Sequence, residues 1–298
     1  MKTATPNDFG KIRSIFWPIH GYELKKFLPM FLKFFCISFV YTILRDTKDT
    51  LIVTAPNSGA EAIPFLKVWC VVPSAILFTV MYSKLSNSLG KENLFYTTLI
   101  PFLIFFGVFG FILYPLRDVI HPTESAQWLR EALPHNAAMK GIIAIYQNWS
   151  FAVYYIFAEM WGSMILSMAF WGFANDITKT TEAKRFYGLL GIGANLALVF
   201  SGRAIIWAAP GGSARPYEES LKVLTILVLL AGAIIMSVYY WMNRNVLTDP
   251  RFFDASQVKK KKSKPKLSIF DSIKLLSRSK YLGCIAGIVI AYGASINL

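Results

Sequence analysis

The feature that most limits this chain is a series of seven apolar runs, each near the ~17 to 25 residues that carry a helix across a ~30 Å hydrocarbon layer. They cover Phe27 to Leu44, Ile63 to Tyr82, Leu94 to Leu116, Trp149 to Asn175, Phe186 to Trp207, Leu221 to Met242 and Tyr281 to Leu298. Hydrocarbon offers a backbone amide no partner, so a spanning segment must satisfy its own hydrogen bonds as a helix or join a closed barrel. A barrel would show ~10-residue segments of alternating polarity, and these runs do not alternate. The expected fold class is therefore all-α and polytopic. Composition agrees, with 16% charged residues against roughly 25% in soluble domains.

Lysine and arginine set the expected orientation, because they collect on the cytoplasmic side. Of the 31 in the chain, 21 fall before run 1 or after runs 2, 4 and 6, and six fall in the opposite loops. The N-terminus is thus expected to be cytoplasmic, and the net charge of +14 needs no nucleic acid to explain it. The basic start runs into the first apolar run without a small-residue cleavage site, which reads as an uncleaved first helix. It also lacks the Arg- and Ser-rich character of an organellar transit peptide, so the expected location is a bacterial inner membrane. Cys36, Cys70 and Cys284 all fall inside apolar runs and imply no disulfide framework.

Four segments are expected along the chain: a cytoplasmic stretch 1–26, a six-span half 27–247, a basic linker 248–280 and the first span of a second half 281–298. The linker contains DPRFFDASQVKKKKSKPK, which reads as positive-inside anchoring, and then LSIFDSIKLLSRSK, an amphipathic helix expected to lie at the interface. A basic linker after six spans fits a transporter of two six-helix halves. On that reading the seventh run, which reaches Leu298 without polar flanks, is the cut-short opening helix of a second half.

Chemistry concentrates in a few charges within or beside the runs. Glu159 lies near the middle of the fourth run, where an ionised acid costs ~2.5 to 3.5 kcal/mol even on the mildest insertion scale, so it must face a cavity, a partner or a substrate. Tyr155, Glu159, Ser163 and Ser167 recur every four residues and are expected to form one polar stripe. Lys67 lies one turn inside the second run and either snorkels outwards or faces a cavity as a cation suited to an anionic substrate. Ser38, Tyr41, Thr42 and Arg45 share a helical face leading into a charged turn, and a helix continuing to Asp49 would let Arg45 and Asp49 pair. In the fifth run Gly188, Gly191, Asn195 and Gly202 fall on roughly one side, mostly to permit close packing, while Asn195 offers hydrogen bonds to a base or ribose. Pro73 is expected to kink the second span. No phosphate-loop motif, metal-ligand cluster or nucleophile with its base is visible, so neither an enzyme nor a resident cofactor is expected.

The stretches ILRDTKDTLIVTAPNSGAEAIPFLK, AEMWGSMILSMAFWGFANDIT and EAKRFYGLLGIGANLALVFSGR resemble the ATP/ADP translocase family, the nucleotide transporters of obligate intracellular bacteria and plastids. The resemblance runs from about Phe9 to Leu298. It implies a major-facilitator-like carrier of twelve spans in which a Lys after I-P-F-L and a Glu in A-E-x-W-G-S are functional, matching Lys67 and Glu159. Two further functional charges of the family lie beyond Leu298, so a missing C-terminal half would be required for transport. The implied activity is import of ATP in exchange for ADP and phosphate through a lipid bilayer, with Lys67, Arg45, Glu159, Tyr155 and Asn195 as the expected substrate-binding set. The alternatives are a carrier for another nucleotide (GTP, UTP or NAD), proton-coupled or exchanging, and a non-transporting membrane subunit.

Overall fold

The structure, a computed structural model, describes residues 13, 17–133, 137–209, 216–249, 252, 278–279, 281–285, 287–288 and 291. It divides into two units, Met1–Phe253 and Asp254–Leu298. All regular structure among the described residues is helical. Six helices are long and apolar enough to span a bilayer: α1 (Leu24–Thr54), α2 (Ala62–Ser88), α3 (Lys91–Leu113), α7 (Trp149–Ile177), α8 (Thr180–Ala208) and α9 (Tyr217–Asn245). Three shorter helices, α4 (Arg117–Ile120), α5 (Thr123–Ala132) and α6 (Ala137–Gln147), connect α3 to α7. Most of the linker, including the interfacial helix expected in it, and most of the seventh run lie outside the described residues; of that run, 281–285, 287–288 and 291 are helical.

Helix α1 is the axis of the first unit, packed by α7, α8 and α9, while α3 packs on α9 and α7. Its buried stripe repeats at helical spacing through Lys26, Met30, Lys33, Ile37, Val40, Leu44, Lys48 and Leu51. Helix α1 continues past Leu44 to Thr54: Thr47, Lys48, Leu51 and Ile52 are buried, and the Thr50 and Thr54 hydroxyls bond back to carbonyls four residues earlier. In contrast α2 is peripheral, with only 6% of its most apolar window buried against 56% for α1.

Lipid tails are as apolar as the side chains, so helices in a bilayer hold together by close packing and hydrogen bonds. Aromatic rings supply much of that packing between α3 and α7. Phe105 stacks on Phe157 at 4.0 Å, Phe106 meets Tyr154 edge-on at 5.4 Å, and Phe102 lies at 6.0 Å from Trp161. Such pairs are worth ~0.5 to 1.5 kcal/mol each beyond the area they bury. The expected close-packing stripe on α8 is corrected here: Gly188, Gly191 and Gly202 have open space where a Cβ would stand. Gly193 makes the close approach instead, since a Cβ there would come within 2.8 Å of the Phe31 ring.

At the end where α1 begins, the basal end, ion pairs join the helices. Arg185 grips Glu23 with two bonds of 2.6 and 2.7 Å and donates to the Pro18 carbonyl at 2.7 Å, while Lys26 meets Glu182 at 2.7 Å. At the opposite end the α1–α2 turn, which contains Asn57 at φ 56°, is tied to α7 because Asn148 donates to the Pro56 carbonyl at 3.1 Å. Asn148 is 1% exposed, so this tie is buried.

Candidate functional site

The extension of α1 by its polar turn brings charge into the bundle. Lys48 is 6% exposed, and its Nζ lies 2.7 Å from Asp49 Oδ1, 3.1 Å from Glu159 Oε1 and 4.0 Å from the centroid of the Tyr155 ring. One ammonium thus holds two carboxylates and rests on an aromatic face, which attracts cations through its quadrupole. The Glu159 side chain keeps 29% of its surface exposed. The carboxylate is therefore paired on one side and open on the other.

Sequence reasoning did not single out Lys48, which it left within the charged turn after Arg45. The pairing expected of Asp49 with Arg45 is likewise corrected: Asp49 bonds Lys48, and Arg45 is exposed. The reason is angular, because Arg45 falls outside the buried stripe that contains Leu44, Lys48 and Leu51. Continuing that stripe through the charged turn was the signal that would have found Lys48.

Backbone geometry widens next to both of the other expected charges. In α2 the helix opens into a π turn over Lys67–Val71, where the Val72 N–H reaches back to the Lys67 carbonyl. Pro73 follows directly and cannot donate a backbone bond, so the ladder is already interrupted there. In α7 a longer π segment covers Trp161–Phe170, beginning two residues after Glu159. Single π turns inside α-helices are frequent at functional sites. The Lys67–Val71 turn packs on the Trp149–Met160 part of α7, so the segments bearing Lys67 and Glu159 are neighbours. Lys67 itself is half-buried.

Close approach of α1 to α7 fixes Glu159 in place. A Cβ on Gly162 would sit 2.9 Å from the Tyr41 ring, so glycine lets α1 press on the α7 backbone one turn beyond the carboxylate. Trp161 is fully buried and donates from Nε1 to the Ile37 carbonyl at 3.2 Å. Through the π segment the expected polar stripe changes surroundings along its length. Tyr155 is fully buried, Glu159 sits at the boundary, and Ser163 and Ser167 are exposed. Asn195, on α8, is exposed and donates to the Gly191 carbonyl of its own helix at 3.1 Å, so the structure leaves it outside the Lys48 cluster. The described residues contain no group of three metal-ligating side chains.

Comparison with known proteins adds to this geometry. A family model described as TLC ATP/ADP transporter matches residues 2–298. ADP,ATP carrier protein 1 of Chlamydia trachomatis serovar D is 55% identical to the chain, over 100% of it and 57% of the relative. The protein of the same name in Rickettsia conorii is 45% identical over 98% of the chain and 58% of its own length. The chloroplastic ADP,ATP carrier protein 1 of Arabidopsis thaliana is 48% identical over 99% and 46%. The chain therefore spans about half the length of the curated relatives it matches. No solved structure matches it.

Proposed function

The chain belongs to the TLC ATP/ADP transporter family, and from that premise we propose that it forms the first half of a carrier that imports ATP across a bacterial inner membrane in exchange for ADP and phosphate. The observation that carries this reading is the Lys48–Glu159 pair of 3.1 Å between α1 and α7. A nucleotide phosphate and a carboxylate are rival acceptors for one ammonium, and both form short, charge-assisted bonds. Only a ligand that binds two states unequally can shift the balance between them. An empty carrier that holds Glu159 on Lys48 is reluctant to reorient; a phosphate that takes Lys48 releases the tie between α1 and α7. That competition makes each crossing depend on substrate.

In this reading Lys67 and Arg45 neutralise the remaining phosphate charge, Tyr155 steadies the Lys48 ammonium, and Asn195 on the open side of α8 contacts the base or ribose. The basal end faces the cytoplasm, and a second six-helix half closes the path opposite the open side of Glu159. The reaction breaks no covalent bond.

Radiolabelled ATP uptake by cells expressing the chain within a full-length carrier tests the function, with and without internal ADP. Uptake that requires internal ADP is expected. Uptake driven by a proton gradient without ADP would replace exchange with coupled import. Lys67→Ala is expected to lower uptake by about tenfold to a hundredfold, the worth of a charge-assisted bond, while membrane insertion stays as in the parent. Equal losses in both measurements would make Lys67 a snorkelling residue with no part in binding.

A further inference from the structure

Lys33 lies on the same buried stripe of α1 as Lys48, about 22 Å nearer the basal end at ~1.5 Å per residue. Its side chain is fully buried, and its Nζ has no hydrogen-bond partner among the described residues. Three rings enclose the ammonium, with centroids at 4.2 Å for Phe95, 4.2 Å for Phe173 and 4.3 Å for Tyr239. Cation–π contact of this kind offsets part of the cost of burying the charge. Among the described residues it leaves the three N–H donors without an acceptor and the charge without a counter-ion, an unfavourable state in a buried setting.

Those three rings also line a cavity of about 190 Å³ between α2, α3, α7 and α9. Asn243 lines it too, with its Nδ2 buried beside the Tyr239 hydroxyl. Lys91 and Asp176, both in the lining, are joined at 2.6 Å, so the acid among the lining residues is already engaged. The Lys33 ammonium and the Asn243 amide Nδ2 are both donors, and the charges of Lys33, Lys91 and Asp176 leave an excess of one positive charge. The complement is an acceptor carrying negative charge. Water would satisfy the donors without neutralising the ammonium. The cavity is below the ~300 to 1,000 Å³ typical of pockets for drug-sized ligands, which favours a small oxyanion over a whole nucleotide.

We propose that this basal cavity is a phosphate-group site, with the Lys33 ammonium as its charge and Asn243 as its second donor, separate from the Lys48 cluster. The group reaches it as inorganic phosphate or as a lipid headgroup. Rotation of one caging ring brings the ammonium into the cavity.

The test uses the purified, delipidated chain in a neutral detergent, with Lys67→Ala present throughout to weaken phosphate binding at the far end. Inorganic phosphate is titrated against chloride of equal ionic strength, phosphatidylglycerol is titrated in parallel, and binding is read from thermal unfolding and the ³¹P signal. Lys33→Met keeps side-chain length and contact with the rings. This change is expected to weaken phosphate-group binding by about tenfold or more, and Asn243→Leu to weaken it in the same direction. Binding of phosphatidylglycerol but not of inorganic phosphate, lost in the same variants, would support the site and assign it to lipid. Equal affinity in parent and variants, or no binding of either probe by the parent, would overturn the proposal. If Lys33→Met does not fold, Asn243→Leu decides alone. The readout is binding and not transport, so it is independent of the outcome of the exchange experiment.

Discussion

Replacing Lys48 with Met is expected to abolish ATP uptake, with a loss of a hundredfold or more, and to destabilise the bundle. The change removes the ammonium that Asp49 and Glu159 share at 2.7 and 3.1 Å and leaves both carboxylates unneutralised beside the buried Tyr155 ring. Breaking a buried pair by removing one partner costs ~3 to 5 kcal/mol. Glu159 keeps 29% exposure and Asp49 44%, so solvent screens part of the penalty and the lower end applies. Uptake suffers more than stability, because Lys48 is also the group for which phosphate competes.

A double-mutant cycle separates these effects. Adding Glu159→Gln to Lys48→Met removes one of the two stranded charges, the less exposed one, so thermal stability should recover in part while uptake does not. Residues in direct contact show interaction energies of ~0.5 to 3 kcal/mol in such cycles. Strictly additive stability losses would mean that the two side chains do not interact.

The second large effect is structural and lies at the basal end. Glu23 is 2% exposed and accepts two short bonds from Arg185, which also holds the Pro18 carbonyl, and a third of 2.8 Å from the His20 backbone N–H. Arg185→Ala strands a buried carboxylate and should cost ~3 to 5 kcal/mol, read as a fall in the unfolding temperature of the purified chain. Arg185→Lys should recover only part, because an ammonium cannot reproduce the two-pronged guanidinium grip. A cost below ~1 kcal/mol, the value of an exposed pair, would show that Glu23 is solvated and that the turn before α1 is held by other contacts.

Much of this arrangement was legible in the residues themselves. The six apolar runs from Phe27 to Met242 are the six long helices, because length and apolarity are what a bilayer selects. Glu159 announced itself by being a carboxylate in mid-span. Its partner did not, since Lys48 sits among Arg45, Asp46 and Asp49, and local polarity reads as a turn. Only the buried stripe of α1, which is a tertiary fact, shows that helix and burial continue past Leu44 to Leu51. The same holds for Lys33, which nothing local marks although it is caged by rings from α3, α7 and α9. Such a cage is assembled from residues up to about two hundred positions apart, and no local pattern predicts it. The π segments are a further case. Pro73 marks a break in α2, but its neighbourhood does not say that the turn at Lys67–Val71 widens, and nothing in WGSMILSMAF distinguishes a π segment from an α-helix.

ATP uptake by the Glu159→Gln carrier, compared in cells loaded with ADP and cells emptied of it, probes the coupling itself. If the Lys48–Glu159 tie restrains the empty carrier, the variant will admit ATP whether or not ADP waits inside. A variant that still transports and depends on internal ADP as strictly as its parent would contradict the account.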